Sequence, residues 1–146
     1  MDWATLFLKP EGRIGRGAFW LGLAALAALQ GLACLVPRAG WFAFMILAYG
    51  WVCLFAKRLH DIGRSGWLTV TPLLVSLIGL SAAAAFWMQT FAARSSPLLL
   101  YWVSGAALAV ASAVDLAFLA WVGLCSGEAE ENSYGPALTR AAPVED

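Results

Sequence analysis

Between Lys57 and Trp67 the chain reads KRLHDIGRSGW, which sets three of its nine cations, its single histidine and an aspartate within eleven residues. A histidine beside a carboxylate is the start of a proton-transfer or metal site. Clustered arginines with an orienting aspartate instead suit an oxyanion such as a lipid phosphate. The first two chemistries need convergent partners, and no second histidine exists. No catalytic residue, metal ligand or cofactor-binding residue is therefore expected, and the chain is not expected to be an enzyme. Two further arginines, Arg13 and Arg16 in GRIGRGAFW, belong to the same charge pattern. The candidate headgroup or partner cluster is Arg13, Arg16, Arg58, His60, Asp61 and Arg64. The competing reading is structural: Asp61 and these arginines lock two loops together, in loops that must be cationic in any case.

The other residue of chemical interest is Asp115, the one charge in the apolar run from Leu98 to Leu124. A charged carboxylate at the centre of a membrane segment costs roughly 2.5–3.5 kcal/mol on insertion scales, so it is expected to be neutral, paired or facing water. It is read either as an intramembrane proton or substrate site, or as an interhelical hydrogen bond. Ser112, Gln30 and Tyr49 are the polar candidates to partner it.

Elements able to position these residues follow from composition. Of 146 residues, 62% are apolar and only 12% charged, with mean hydropathy +0.76, against about a quarter charged in soluble domains. This is the composition of a protein dissolved in lipid. Zero net charge excludes nucleic acid as a partner, because phosphate neutralisation needs a cationic surplus. Cys34, Cys53 and Cys125 lie singly in apolar segments, without metal-binding or disulfide spacing.

Four apolar runs are long enough to cross a bilayer, for which roughly 20 residues suffice. The first follows Arg16 and extends from Gly17 to Pro37, and the second from about Trp41 to Ala56, short and with little tilt. The third, Ser65 to Ala93, carries Pro72, expected to kink it near its start. Leu98 to Leu124 is the fourth. Tight loops are expected at Pro37–Gly40 and Arg94–Pro97, and the Lys57–Trp67 motif is expected as the central loop. Within it Lys57 and Arg58 complement the end of the second helix, Gly63 takes the left-handed conformation, Ser65 caps the third helix and Trp67 anchors it. At the start, Trp3, Leu6 and Phe7 in DWATLFL share one helical face, suited to the headgroup plane; a frayed terminus is the alternative.

The fold expected is an all-α, polytopic four-helix transmembrane bundle over residues 1–126. Residues 127–146, acidic and punctuated by Gly and Pro, are expected to be a disordered cytoplasmic tail. Lys9, Arg13, Arg16, Lys57, Arg58, Arg64 and Arg140 fall on one side of this topology, and only Arg38 and Arg94 on the other. The positive-inside rule then puts both termini and the central loop in the cytoplasm.

GRIGRGAFW before the first span, RLHDIGRSGW between the second and third, and ENSYGP from Glu131 together resemble the signatures of a bacterial membrane family, domain of unknown function 805. The resemblance spans the chain. It implies a small multi-pass protein of the bacterial cytoplasmic membrane with four helices and no established activity. It also implies structural roles for Gly63, Ser65, Gly66, Trp67, Asn132, Tyr134 and Gly135, whose turn is expected to fold back onto the charged cluster. Asp115 is no part of that pattern. The leading functional expectation is a non-enzymatic integral membrane protein that engages anionic lipid headgroups or a partner, with homo-oligomerisation open. The alternative is a small transporter or channel component using Asp115.

Overall fold

The computed structural model describes residues 3–36, 39–93 and 98–138. The expected loops around Pro37–Arg38 and Arg94–Pro97, and Arg140 in the tail, lie outside these. Five α-helices follow in order: α1 Trp3–Leu8, α2 Arg16–Cys34, α3 Ala39–Asp61, α4 Val70–Ala93 and α5 Leu98–Leu124, with a 3-10 turn at Gly66–Thr69 before α4. No strand occurs among the described residues, and α2 to α5 each contain a stretch long and apolar enough to cross a membrane. The all-α, four-span expectation holds.

The described residues of 1–68 and 122–146 form one compact unit, and those of 69–121 form a second. In the first, α2 and α3 pack antiparallel. Leu54 lies against Gly22, Leu26 against Gly50, and the Phe19 and Phe55 rings meet edge to face with centroids 5.2 Å apart. In lipid no hydrophobic force drives two helices together, so close backbone approach and van der Waals contact must hold them. A Cβ on Gly22 would lie 2.7 Å from Leu54 Cδ1 and 3.3 Å from Leu6 Cδ2, so any larger residue there would have to displace the Leu54 side chain. Large apolar side chains such as Phe42, Met45 and Ile46 remain exposed, as a lipid-facing surface requires.

α1 is an ordered helix rather than a frayed end, with Trp3 and Phe7 stacked one turn apart at 5.8 Å. It is not a free amphipathic segment, because Leu6 is buried beside Gly22 and Phe7 Cβ packs near Gly50. Tyr49 donates its hydroxyl to the Leu8 carbonyl at 3.2 Å, and Lys57 donates to the Thr5 carbonyl. α1 therefore runs down α3 in the opposite sense.

In the second unit α4 and α5 are also antiparallel. Gly79 faces Ala111 and the Ala107 carbonyl, and Phe86 meets Tyr101 edge-on at 5.9 Å. Between these helices lies an apolar groove of about 260 Å³, lined by residues such as Val75, Ile78 and Val110. Pro72 stands in the first turn of α4, where a missing N–H costs nothing. Ahead of the proline the helix changes from 3-10 to α geometry.

Two boundaries differ from expectation. α3 runs five residues past Ala56, so Lys57–Asp61 is helix, and the central loop shrinks to Ile62–Ser65. The cause is a strong stop further on. Arg64 N–H donates to Leu59 O at 2.8 Å and Gly63 N–H to His60 O at 3.2 Å, with Gly63 at φ +69°. This paired closure needs a left-handed residue, which glycine supplies without a Cβ penalty. The acidic tail is the second difference. Residues 127–138 are held against the first unit rather than disordered, because their backbone carbonyls satisfy a buried arginine; residues 139–146 lie outside the described range.

Candidate functional site

α3 carries Arg58 and Asp61 one turn apart on one face, and the segment leading into α2 brings Arg13 to them. Asp61 takes both arginines. Its Oδ1 accepts from Arg13 Nε at 3.2 Å, with Arg13 Nη2 also at 3.2 Å, and its Oδ2 accepts from Arg58 Nη1. The remaining guanidinium hydrogens go to backbone carbonyls. Arg58 donates to Val122 O at 3.0 Å, to Ile14 O at 3.5 Å and to Cys125 O. Arg13 donates to Glu130 O at 2.8 Å, to Gly135 O at 3.3 Å and to Glu128 O. Side-chain exposure is 1% for Arg13, 0% for Arg58 and 5% for Asp61. Together these three residues tie the start of α2, the end of α3, the end of α5 and the tail.

Electrostatics explain the arrangement. The last carbonyls of a helix have no partner within it and carry the negative end of its dipole. Arg58 lies in the last turn of α3 and also reaches the end of α5, so one cation serves two helix termini. A carboxylate between two guanidiniums then offsets part of the cost of burying them.

Residues 127–138 cross this cluster as a strap. Glu128 N–H donates to Asp61 O at 2.8 Å, and a Cβ on Gly127 would collide with the Asp61 carboxylate. Asn132 Nδ2 donates to His60 O at 3.0 Å and to Glu128 Oε2 at 2.6 Å. A tight turn follows, with Asn132 Oδ1 accepting from Tyr134 N–H at 3.0 Å and reciprocal backbone bonds between Asn132 and Gly135. Gly135 adopts φ +143°, which favours glycine. Tyr134 lies flat on the His60 ring, centroids 4.0 Å apart and planes within 5°. His60 Nδ1 is 3.2 Å from Gly12 O; a carbonyl only accepts, so Nδ1 carries the proton. His60 is committed to the clasp through both its ring and its carbonyl.

The six expected cluster residues therefore divide. Arg13, Arg58, His60 and Asp61 are brought together, whereas Arg16 and Arg64 are exposed. Of the motif residues, Ser65 caps the 3-10 turn by accepting from Trp67 N–H at 3.3 Å. Gly66 lets that turn close, since a Cβ there would lie 2.9 Å from Ala56 Cβ and 3.1 Å from His60 Nε2. Trp67 is 82% exposed. Among the described residues no group of three or more His, Cys, Asp or Glu converges as a metal site would require.

Asp115 belongs to the second unit, with its Oδ2 accepting from the Ser76 hydroxyl at 2.6 Å and its Oδ1 buried without a hydrogen-bond partner among the described residues. Sequence reasoning missed Ser76. Ser112 is exposed, Gln30 Nε2 contacts Cys34 Sγ at 3.6 Å, and Tyr49 donates to Leu8. The signal available was weak, since Ser76 is one of four hydroxyl residues in α4, with Thr71, Ser81 and Thr90. Glu128 was also missed; as one of several tail carboxylates it had no distinguishing mark.

The family model described as "Protein of unknown function (DUF805)" matches residues 7–136. No curated protein and no solved structure matches the chain.

Proposed function

The chain belongs to the DUF805 family, and on that premise we propose a non-enzymatic, multi-pass protein of the bacterial cytoplasmic membrane whose clasp end faces the cytoplasm and meets anionic lipid headgroups. One observation carries this reading. Arg13, Arg58 and Asp61 spend their charge internally, while Arg16 and Arg64, each three residues from a clasp member, stay exposed. The division assigns structure to the buried charges and surface contact to the exposed ones, each basic residue near an anionic membrane contributing about 1 kcal/mol. The distribution of all nine cations supports the cytoplasmic orientation. Replacing Arg16 and Arg64 together by Gln is expected to lower phosphatidylglycerol retention in native mass spectrometry without lowering the melting temperature. Retention equal to wild type would overturn the reading.

A second reading rests on Asp115 Oδ1, a buried acceptor with no donor among the described residues. Such an atom is a natural place for a proton, and a small proton-linked transporter would use it. Asp115→Asn is then expected to abolish pH-dependent flux in proteoliposomes while leaving lipid retention intact. Unchanged flux would remove this reading.

A further inference from the structure

The clasp is electrically unbalanced. Arg13 and Arg58 bring two positive charges to one carboxylate in a space almost closed to solvent. What offsets the second charge is a shell of backbone carbonyls, and those on Arg13 come from the strap: Glu128, Glu130 and Gly135. Carbonyl dipoles are weak substitutes for an anion, since charge-assisted pairs are roughly twice as strong as neutral ones. A guanidinium fork presents parallel N–H groups that match the oxygens of a phosphate. We infer that the strap occupies the seat of an oxyanion, and that a phosphate group binds the Arg13 fork when residues 127–138 lift.

The strap is built to lift. Glu128, Ala129, Glu130, Glu131 and Ser133 are exposed, so raising them uncovers little apolar surface. Its side-chain anchors include the Asn132 bond to His60 O and the Tyr134–His60 stack, with Glu128 seated over Gly63 and Leu138 near Gly15. Arg58 stays fixed throughout, because its carbonyl partners Val122, Cys125 and Ile14 lie outside residues 127–138. Arg13 is thus the exchangeable half of the clasp, and Asp61 orients its guanidinium in both states. The inference rests on the proposed cytoplasmic surface only in placing the strap beside anionic lipid. The phosphate belongs either to a lipid headgroup or to a free anion.

The test uses the intact chain in nanodiscs, reading hydrogen exchange of the Glu128 amide, whose bond to Asp61 O ties the strap to α3 in the closed state; the Asn132 and Gly135 amides, bonded to each other's carbonyls within the turn, serve as the internal control. Exchange about tenfold faster in phosphatidylglycerol than in phosphatidylcholine is expected, a factor within reach of one charge-assisted bond. Acceleration by inorganic phosphate in phosphatidylcholine nanodiscs would mean that a free oxyanion suffices; acceleration by phosphatidylglycerol alone assigns the seat to a lipid. Unchanged exchange under both conditions overturns the inference. Repulsion of the acidic strap by the membrane is separated by Tyr134→Ala, which loosens the strap while leaving both arginines in place. That variant should retain more phosphatidylglycerol than wild type in native mass spectrometry, and equal or lower retention also overturns the inference. Failure of the Arg16/Arg64 variant together with success here would remove the surface reading and leave the seat; the opposite pattern would do the reverse.

Discussion

Asp61 shows how a surface-looking residue becomes the hub of a buried network. In the sequence it is one carboxylate among cations, a pattern that favours a lock between loops over a ligand site. In the structure its two oxygens face two different guanidiniums at 5% side-chain exposure. Removing one partner of a buried ion pair costs about 3–5 kcal/mol, because the charge left behind keeps its desolvation penalty. Asp61→Asn leaves two cations without an anion and is expected to lower the melting temperature in detergent sharply. Arg64→Gln, at an exposed position, should stay within about 0.5 kcal/mol of wild type. Equal melting shifts for the two variants would contradict the clasp. The contrast between Arg58 and Arg64 was not legible from residue types. Both are arginines of one motif, six apart, and only the helical continuation to Asp61 turns Arg58 inward.

At the scale of elements, close approach governs the helix pairs. A Cβ on Gly79 would lie 2.8 Å from Ala111 Cβ and 3.4 Å from the Ala107 carbonyl, whereas Gly31 has nothing within 4 Å. Gly79→Leu is expected to push α4 from α5, costing about 1–3 kcal/mol as overpacked cores do, and to part Ser76 from Asp115. Gly31→Leu should be nearly neutral. Thermal unfolding of both variants checks the pair, and a neutral Gly79→Leu would mean that the helices are not held by this contact. The four long helices were visible in the sequence because uncharged runs near the bilayer thickness leave few alternatives. α5 was bounded correctly by Pro97 and the compositional change after Leu124. α3 was cut short at Ala56 because a cation was taken as the membrane edge, when Lys57 is in fact buried and donates to the Thr5 carbonyl.

For the whole molecule, the clasp requires the approach to α2, the end of α3 and the residues after α5 to lie on one side of the membrane. Single cysteines at Glu11 and Ser133, in a background lacking Cys34, Cys53 and Cys125, should both resist a membrane-impermeant maleimide in intact cells and both react after permeabilisation. Labelling of one from outside and the other from inside would break the proposed topology.

Sequence alone determined the lipid solvent, the four spans and the three charged motifs, because hydrocarbon admits so few backbone solutions and leaves polar residues conspicuous. Only the tertiary structure decided which charges are spent inside and which remain at the surface. That outcome depends on backbone carbonyls at two helix ends and in the strap, and every residue type carries the same carbonyl. No pattern of side chains could have announced where those oxygens would converge.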